Sequence, residues 1–493
     1  RMRSVTLLRA WARRDAVSML SLRTYASRSR AAKASIEPMP LPCIDQHEMR
    51  QSRVMAGSQH VGSAASQKDE MLGPEPSYTD IVSGYDTFFC DEPFALDYGS
   101  VLPSYQIAYE TWGTLNAARD NAILLHTGLS ASSHAASTPR NTSKGWWEDF
   151  IGPGKALDTN KFFVVCTNVL GSCYGSTGPS SAHPLDADGA PYATRFPVLS
   201  IFDMVRAQFQ LLDHLGIDTL YASVGSSLGG MLSIAAAHLF RERVGRVISI
   251  SGCARSAPSG IALRYAQRSV LMADENWNRG FYYGPNQVQP HKGMKLARQI
   301  ATITYRSGPE WEQRFGRRRH TQRSPALCPD FLVETYLDHQ GEQFCLKYDA
   351  NSLIYISKAM DLFDMTDDAL AELGAARMEA HGDDGNLPVE RIDHAPASPK
   401  RRPHITTISH PGAHAYVPSL ARGLRRLHDV PILILGVQSD ILFPVEQQRE
   451  LAECIRMNGN TSVMYYEIDA PHGHDSFLID VANVGGAIKG FLN

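Results

Sequence analysis

No stretch of about 18 consecutive apolar residues occurs in the 493-residue chain, so the sequence offers no candidate for a membrane-spanning helix. Its eight cysteines (Cys43, Cys90, Cys166, Cys173, Cys253, Cys328, Cys345 and Cys454) form no Cys-x-x-Cys pair and no zinc-type cluster. Reduced structural thiols are therefore expected, with neither a disulfide framework nor a bound metal. His410 and His414 have i, i+4 spacing, but Pro411 and Gly412 between them disfavour a shared helix face. Charge of one sign is also scarce, since 48 Lys and Arg against 51 Asp and Glu leave a net charge of −3. Without a basic stripe, nucleic acid is a poor partner and a small molecule a better one.

The charge that is present is unevenly placed. Residues 1–36 hold eight arginines and Lys33 against the single acid Asp15, a balance of +8, which leaves about −11 for residues 37–493. A basic, acid-poor leader of this kind reads as a mitochondrial presequence, and Arg23-Thr24-Tyr25-Ala26-Ser27 is similar to a matrix-protease site. A mitochondrial matrix location is the expectation, with a disordered basic tail and a cytoplasmic protein as the alternative. Residues 37–87 are rich in Ser, Gln, Gly and Pro without periodicity and read as a disordered linker.

From residue 88 the pattern is that of an α/β protein. Short apolar runs at 122–126, 162–166, 221–224, 247–250, 432–435 and 463–468 suit parallel strands covered on both faces. Helical segments near 203–215, 228–243 and 445–457 fall between several of them, which predicts a mostly parallel sheet. Residues 253–365 instead carry helix-like segments with few strand signals, and are expected to form a helical lid inserted into a core of 88–252 and 417–493. Residues 366–416 are poor in large apolar residues and contain Gly382-Asp383-Asp384-Gly385, so a disordered insertion is expected there.

One turn carries chemistry. Ser227 lies in Gly225-Ser226-Ser227-Leu228-Gly229, between a strand-like run ending at Val224 and a helix-like run from Met231. A tight strand-to-helix turn lifts a serine hydroxyl out of the sheet, and small flanking residues permit it. Gly-x-Ser-x-Gly alone arises easily by chance, so the reading depends on a base and an orienting acid. Asp440 follows the strand-like run ending at Val437, and His474 follows the one at 463–468. Both fall just past the C-terminal ends of predicted strands, where open α/β sheets build their sites, and in the chain order Ser, Asp, His. Taken singly, Asp440 is a helix-capping aspartate and His474 a loop histidine; taken with Ser227, they form a nucleophile, acid and base. The N–H groups of Leu228 and of Leu129, the latter in His126-Thr127-Gly128-Leu129-Ser130, are the expected oxyanion donors.

With these residues in place, several collinear stretches become informative: Tyr109-Glu110-Thr111-Trp112-Gly113, Gly175-Ser176-Thr177-Gly178-Pro179, Ser227-Leu228-Gly229-Gly230-Met231, Thr304-Tyr305-Arg306-Ser307, Tyr348-Asp349-Ala350-Asn351-Ser352 and Gly473-His474-Asp475. Over about residues 88–492, apart from 366–416, the chain resembles the homoserine/serine O-acyltransferases of the α/β-hydrolase fold. The resemblance implies an acyl-CoA co-substrate, no bound cofactor, transfer of the acyl group through Ser227, and a homodimer built through the lid. It further implies that Arg268 binds the acceptor's carboxylate and Asp475 its ammonium, with Tyr282 in a matching lid segment, where core packing explains that tyrosine nearly as well. Arg264, one helical turn before Arg268, could meet the second carboxylate of a succinyl group.

Ser226 before the nucleophile, Leu232 after Met231 and the loop 129–134 differ from the commonest homoserine acetyltransferase pattern, so the chain is closer to the fungal serine acyltransferase branch that feeds cysteine synthesis. Serine is the expected acceptor and homoserine the alternative; succinyl and acetyl donors are equally supported. A serine esterase or thioesterase is a further alternative, because fold does not set function.

Overall fold

The structure, a computed structural model, describes residues 82–284, 287–320, 324, 327–382 and 414–493. The expected presequence, the linker before residue 82 and most of the expected insertion, residues 383–413, lie outside the described residues.

Eight strands form the central sheet: β1 (Asp86–Cys90), β2 (Tyr105–Trp112), β3 (Ala122–His126), β4 (Phe163–Thr167), β5 (Ala222–Ser226), β6 (Val247–Ile250), β7 (Ile432–Val437) and β8 (Val463–Ile468). Their spatial order is β1-β2-β4-β3-β5-β6-β7-β8. Only the β1–β2 and β2–β4 pairs are antiparallel. The other pairs are parallel, because crossover connections, most of them helical, carry the chain back over the sheet before each new strand.

Strand periodicity sorts the core into two layers. Ala122 and Leu124 face one layer with α1 (Ile201–His214), α2 (Leu228–Leu239) and α10 (Val445–Arg456), whereas Ile123 and Leu125 face the other with Trp147, Phe150, Val484 and Ile488. Covering on both faces explains why β3, β5, β6 and β7 are buried at every position and mostly apolar, which gave a clear signal in sequence.

The chain leaves the sheet after β6 and builds the lid from α3 (Pro258–Met272), α4 (His291–Tyr305), α5 (Gly308–Arg314), α6 (Leu332–Cys345) and α7 (Ala350–Asp361). It returns through α8 (Asp367–His381) and α9 (Val417–Gly423) to β7. Two expectations need correction. Residues 367–381, expected to be disordered, form a helix: Thr366 caps it by accepting from the Ala369 N–H (3.4 Å), and Asp367 and Asp368 suit the positive end of its dipole. Leu370 and Leu373 pack it against the core, two apolar contacts too few to register in composition. The linker also ends earlier than residue 87. Val82 is buried, and Arg140 grips Asp86 with two hydrogen bonds of 2.7 and 2.6 Å.

Candidate active site

Ser227 joins β5 to α2 as the helix's N-terminal cap position, with φ 59° and ψ −122°, a conformation that costs a non-glycine residue about 1–3 kcal/mol. The turn is held from both sides: the Ser227 N–H donates to Ile250 (2.9 Å), while the Ser227 carbonyl accepts from Gly230 (2.9 Å). Glycines make the approach of strand and helix feasible. A Cβ at position 225 would lie 2.1 Å from the Gly229 carbonyl oxygen, and one at 229 would lie 2.4 Å from that of His126. Gly225→Ala is therefore expected to cost more than about 3 kcal/mol of unfolding free energy in a denaturant titration. A loss below about 1 kcal/mol would mean that the elbow is not the rigid device described.

Asp440 and His474, 34 residues apart in sequence, meet at the C-terminal edge of the sheet. His474 Nδ1 lies 2.6 Å from Asp440 Oδ2. The second carboxylate oxygen accepts from the N–H groups of Leu442 and Phe443, each at 2.9 Å, so the carboxylate has one orientation. Phe443 stacks on the imidazole at 5.1 Å between ring centres and Phe477 meets it edge-on at 5.3 Å. Ring and carboxylate are thus clamped, and His474 Nε2 is buried with no hydrogen-bond partner among the described residues. An imidazole nitrogen left open in this way is available to take a proton from a group in front of it.

That group lies in the same cavity. A space of about 370 Å³ is lined by Ser227 and His474, by Gly128, Leu129, Ser130 and Ala131, and by lid residues including Arg264, Gln267, Arg298, Tyr305 and Arg306. The 128–131 loop is anchored at several points. Tyr348 donates to the Leu129 carbonyl (2.7 Å), and Trp146 donates to that of Ser132 (2.9 Å). Further along, His134 Nδ1 lies 2.9 Å from the buried Glu110 carboxylate. His126, which precedes the loop, is not a competing base: burial pulls it down to about 3, so it is neutral between Gln208 and Ser223. Leu228 occupies the first position of α2, where an N–H has no acceptor within its own helix.

The lid presses on the histidine loop. A Cβ on Gly473 would lie 2.7 Å from the Tyr305 carbonyl oxygen, and Ser307 donates to the Pro471 carbonyl. Asp475 reaches Arg306 at 3.3 Å. Burial raises the Asp475 carboxyl above the ordinary carboxylate range, against the lowering effect of Arg306, His474 and Arg298.

The expected substrate-binding residues are not all brought to the cavity. Arg264 lines it, with Nε 2.6 Å from Asp361 and Nη2 donating to Ser256 at 3.0 Å. Arg268 does not: its guanidinium is buried against the same Asp361 and against Ser357 (3.2 Å), because one turn of α3 carries it behind Arg264. Tyr282 is also placed elsewhere, fully buried and donating to Asp349 at 2.7 Å. Arg298 and Arg306 line the cavity and were missed. Their signal is the spacing of Arg298, Ala301 and Tyr305 along α4, which shares one helix face but does not say what that face meets.

Residues 121–481 match a family described as the alpha/beta hydrolase fold. The chain is 54% identical over 491 residues to a serine O-succinyltransferase of Emericella nidulans, covering 96% of this chain and 92% of that one. It is 50% identical to a serine O-succinyltransferase of Schizosaccharomyces pombe, with 99% of each covered. Among solved structures, homoserine O-acetyltransferase from Bacillus anthracis is similar with a TM-score of 0.66 and 26% identity, covering 83% of this chain and 97% of that one. Esterase E22, at 24% identity and a TM-score of 0.65 over 83% of this chain and 100% of that one, shares the fold.

Proposed function

Because the chain belongs to the alpha/beta hydrolase fold family and, within it, to the serine O-succinyltransferases, we propose that it moves a succinyl group from succinyl-CoA to the hydroxyl of L-serine. The observation that carries this reading is His474, clamped by Asp440 and open at Nε2, in one cavity with Ser227 and a lid wall bearing the buried Arg264.

In the first step His474 Nε2 takes the Ser227 hydroxyl proton while Oγ attacks the thioester carbonyl. The oxyanion is received by the N–H groups of Leu228 and Leu129. As the C–S bond breaks, His474 returns the proton to sulfur and CoA leaves as a thiol. In the second step His474 deprotonates the L-serine hydroxyl, which attacks the Ser227 ester; the ester bond breaks and the proton passes back to Ser227. Asp440 holds the imidazole in the tautomer with its proton on Nδ1 and stabilises the imidazolium formed in each step. Asp475, next to the base, suits the acceptor's ammonium.

A succinyl donor also has a carboxylate to place. Arg264 and Arg268 share the single carboxylate of Asp361, which leaves an excess positive charge behind the cavity wall. That excess favours an anionic acyl group, since a buried charge is tolerated when paired. The similarity to homoserine O-acetyltransferase from Bacillus anthracis supports a second reading, acetyl transfer to homoserine.

The test crosses two donors with two acceptors on the purified full-length chain, following CoA release and product. Succinyl-CoA with L-serine is expected to exceed every other pairing by at least about tenfold in kcat/KM. A preference for acetyl-CoA with homoserine would replace the proposal by the second reading. Sustained CoA release without any acceptor would identify a hydrolase.

A further inference from the structure

Four arginines stand within six residues of the lid, in Arg314-Phe315-Gly316-Arg317-Arg318-Arg319, on a chain whose residues 37–493 carry about −11. All four are exposed. Nearby carboxylates do not match them: Arg319 pairs with Asp330 at 2.6 Å, but Glu310 is held by Arg306 and reaches Arg314 only at 4.0 Å, the limit of an ion pair. Among the described residues Arg317 and Arg318 have no carboxylate partner. Arg318 donates to the carbonyls of Phe315 (2.9 Å) and Arg314, which caps α5 and brings its guanidinium beside Arg314. Like charges this close repel one another, and a surface that gathers them draws an anion to itself.

The cluster adjoins the cavity. Arg306, in the cavity wall, and Arg314 lie over the same Tyr336 ring, at 5.8 and 4.4 Å from its centre. The Arg306 side chain is 12% exposed and that of Arg314 43%, so Arg314 is the outer of the two. Gln340, one turn along α6 from Tyr336, lines the cavity as well. From Ser307, which holds the histidine loop at Pro471, α5 runs about 10 Å to Arg314. An extended chain advances about 3.5 Å for every three backbone bonds, so the dozen or so bonds from the thioester sulfur of an acyl-CoA to its first phosphorus span about 15 Å. With the acyl carbon at Ser227, an arm of that length leaving along α5 brings the phosphates to Arg314.

Resting on the reading above that the donor is an acyl-CoA, we propose that Arg314, Arg317 and Arg318 form the subsite for the CoA phosphates, on the lid surface outside the cavity. Tyr336 under Arg314 and Phe331, 5.8 Å from Arg317, occupy flat faces of the two guanidiniums and leave their N–H edges, the part that grips phosphate. Acyl group and phosphates are then read separately, one inside the cavity and the other at the far end of α5.

The experiment measures succinyl transfer to L-serine by the purified full-length chain from two donors, succinyl-CoA and S-succinyl-N-acetylcysteamine, a thioester that ends before the phosphates. It compares the wild type with Arg314→Gln/Arg317→Gln and Arg314→Lys/Arg317→Lys, leaving Arg318 in place because it caps α5. In the glutamine variant the kcat/KM ratio of succinyl-CoA to the short thioester is expected to fall at least about tenfold, mainly through KM, as charge-assisted contacts to phosphate are lost. The dependence of the succinyl-CoA KM on salt is expected to weaken with it. The lysine variant recovers most of the ratio, since phosphate also accepts a point charge. An unchanged ratio in the glutamine variant overturns the proposal. So does an equal loss on both donors, which would make these arginines part of the lid's structure alone. If the wild type instead prefers acetyl-CoA and homoserine, the reading of the substrates falls and the same ratio, taken with acetyl thioesters, judges the arginines; a wild type that takes no CoA thioester overturns both.

Discussion

Ser227→Ala is expected to lower succinyl transfer at least about 10⁴-fold and to abolish the burst of CoA release, while thermal unfolding stays within about 2 °C of the wild type. Alanine keeps the Cβ, so the backbone at φ 59° and ψ −122° and its hydrogen bonds to Ile250 and Gly230 are unaffected. What disappears is the one hydroxyl that the turn between β5 and α2 presents to the cavity. Ser226, its neighbour, cannot substitute, because its hydroxyl is buried in the strand without a partner. Residual transfer above about 1% of wild type would remove Ser227 from the mechanism.

Asp440→Asn is expected to cost nearly as much, about 10³–10⁴-fold in kcat, for a reason visible in the hydrogen bonds. The N–H groups of Leu442 and Phe443 both donate to Oδ1, so an asparagine must keep its carbonyl oxygen there. Its amide nitrogen then replaces Oδ2 and points a donor at His474 Nδ1. The imidazole must accept on Nδ1 and carry its proton on Nε2, the wrong tautomer for taking a proton from Ser227. The side chain is nearly isosteric, so stability changes little and the loss is confined to turnover. A decrease smaller than about tenfold would mean that Asp440 does not set the tautomer.

The sheet was legible in the chain because its central parallel strands are buried on both faces, which makes them mostly apolar between helical segments. Ser227, Asp440 and His474 were legible for a related reason: each comes just after the end of a parallel strand, and local sequence locates those ends well. The helix Asp367–His381 was not, since its stability comes from Thr366 and from packing of Leu370 and Leu373 rather than from an apolar stripe. Ion pairing in the lid was not legible either. Arg264, Arg268 and Asp361 are brought together across 97 and 93 residues, and nothing near Arg268 announces that a distant carboxylate holds it.

By itself the sequence determined the α/β class, the strand-to-helix turn at Ser227 and the order of acid and base, because these depend on periodicity and on the few residues just past the end of each strand. Tertiary structure alone decided which lid arginines face the cavity and which are already paired. One helical turn separates Arg264 from Arg268, and α4 presents Arg298 only because it packs against α3 and α6 as it does. A side chain's position on a helix is a local property, but what that face meets, and hence whether a charge is free to bind, is set by elements far away in the chain.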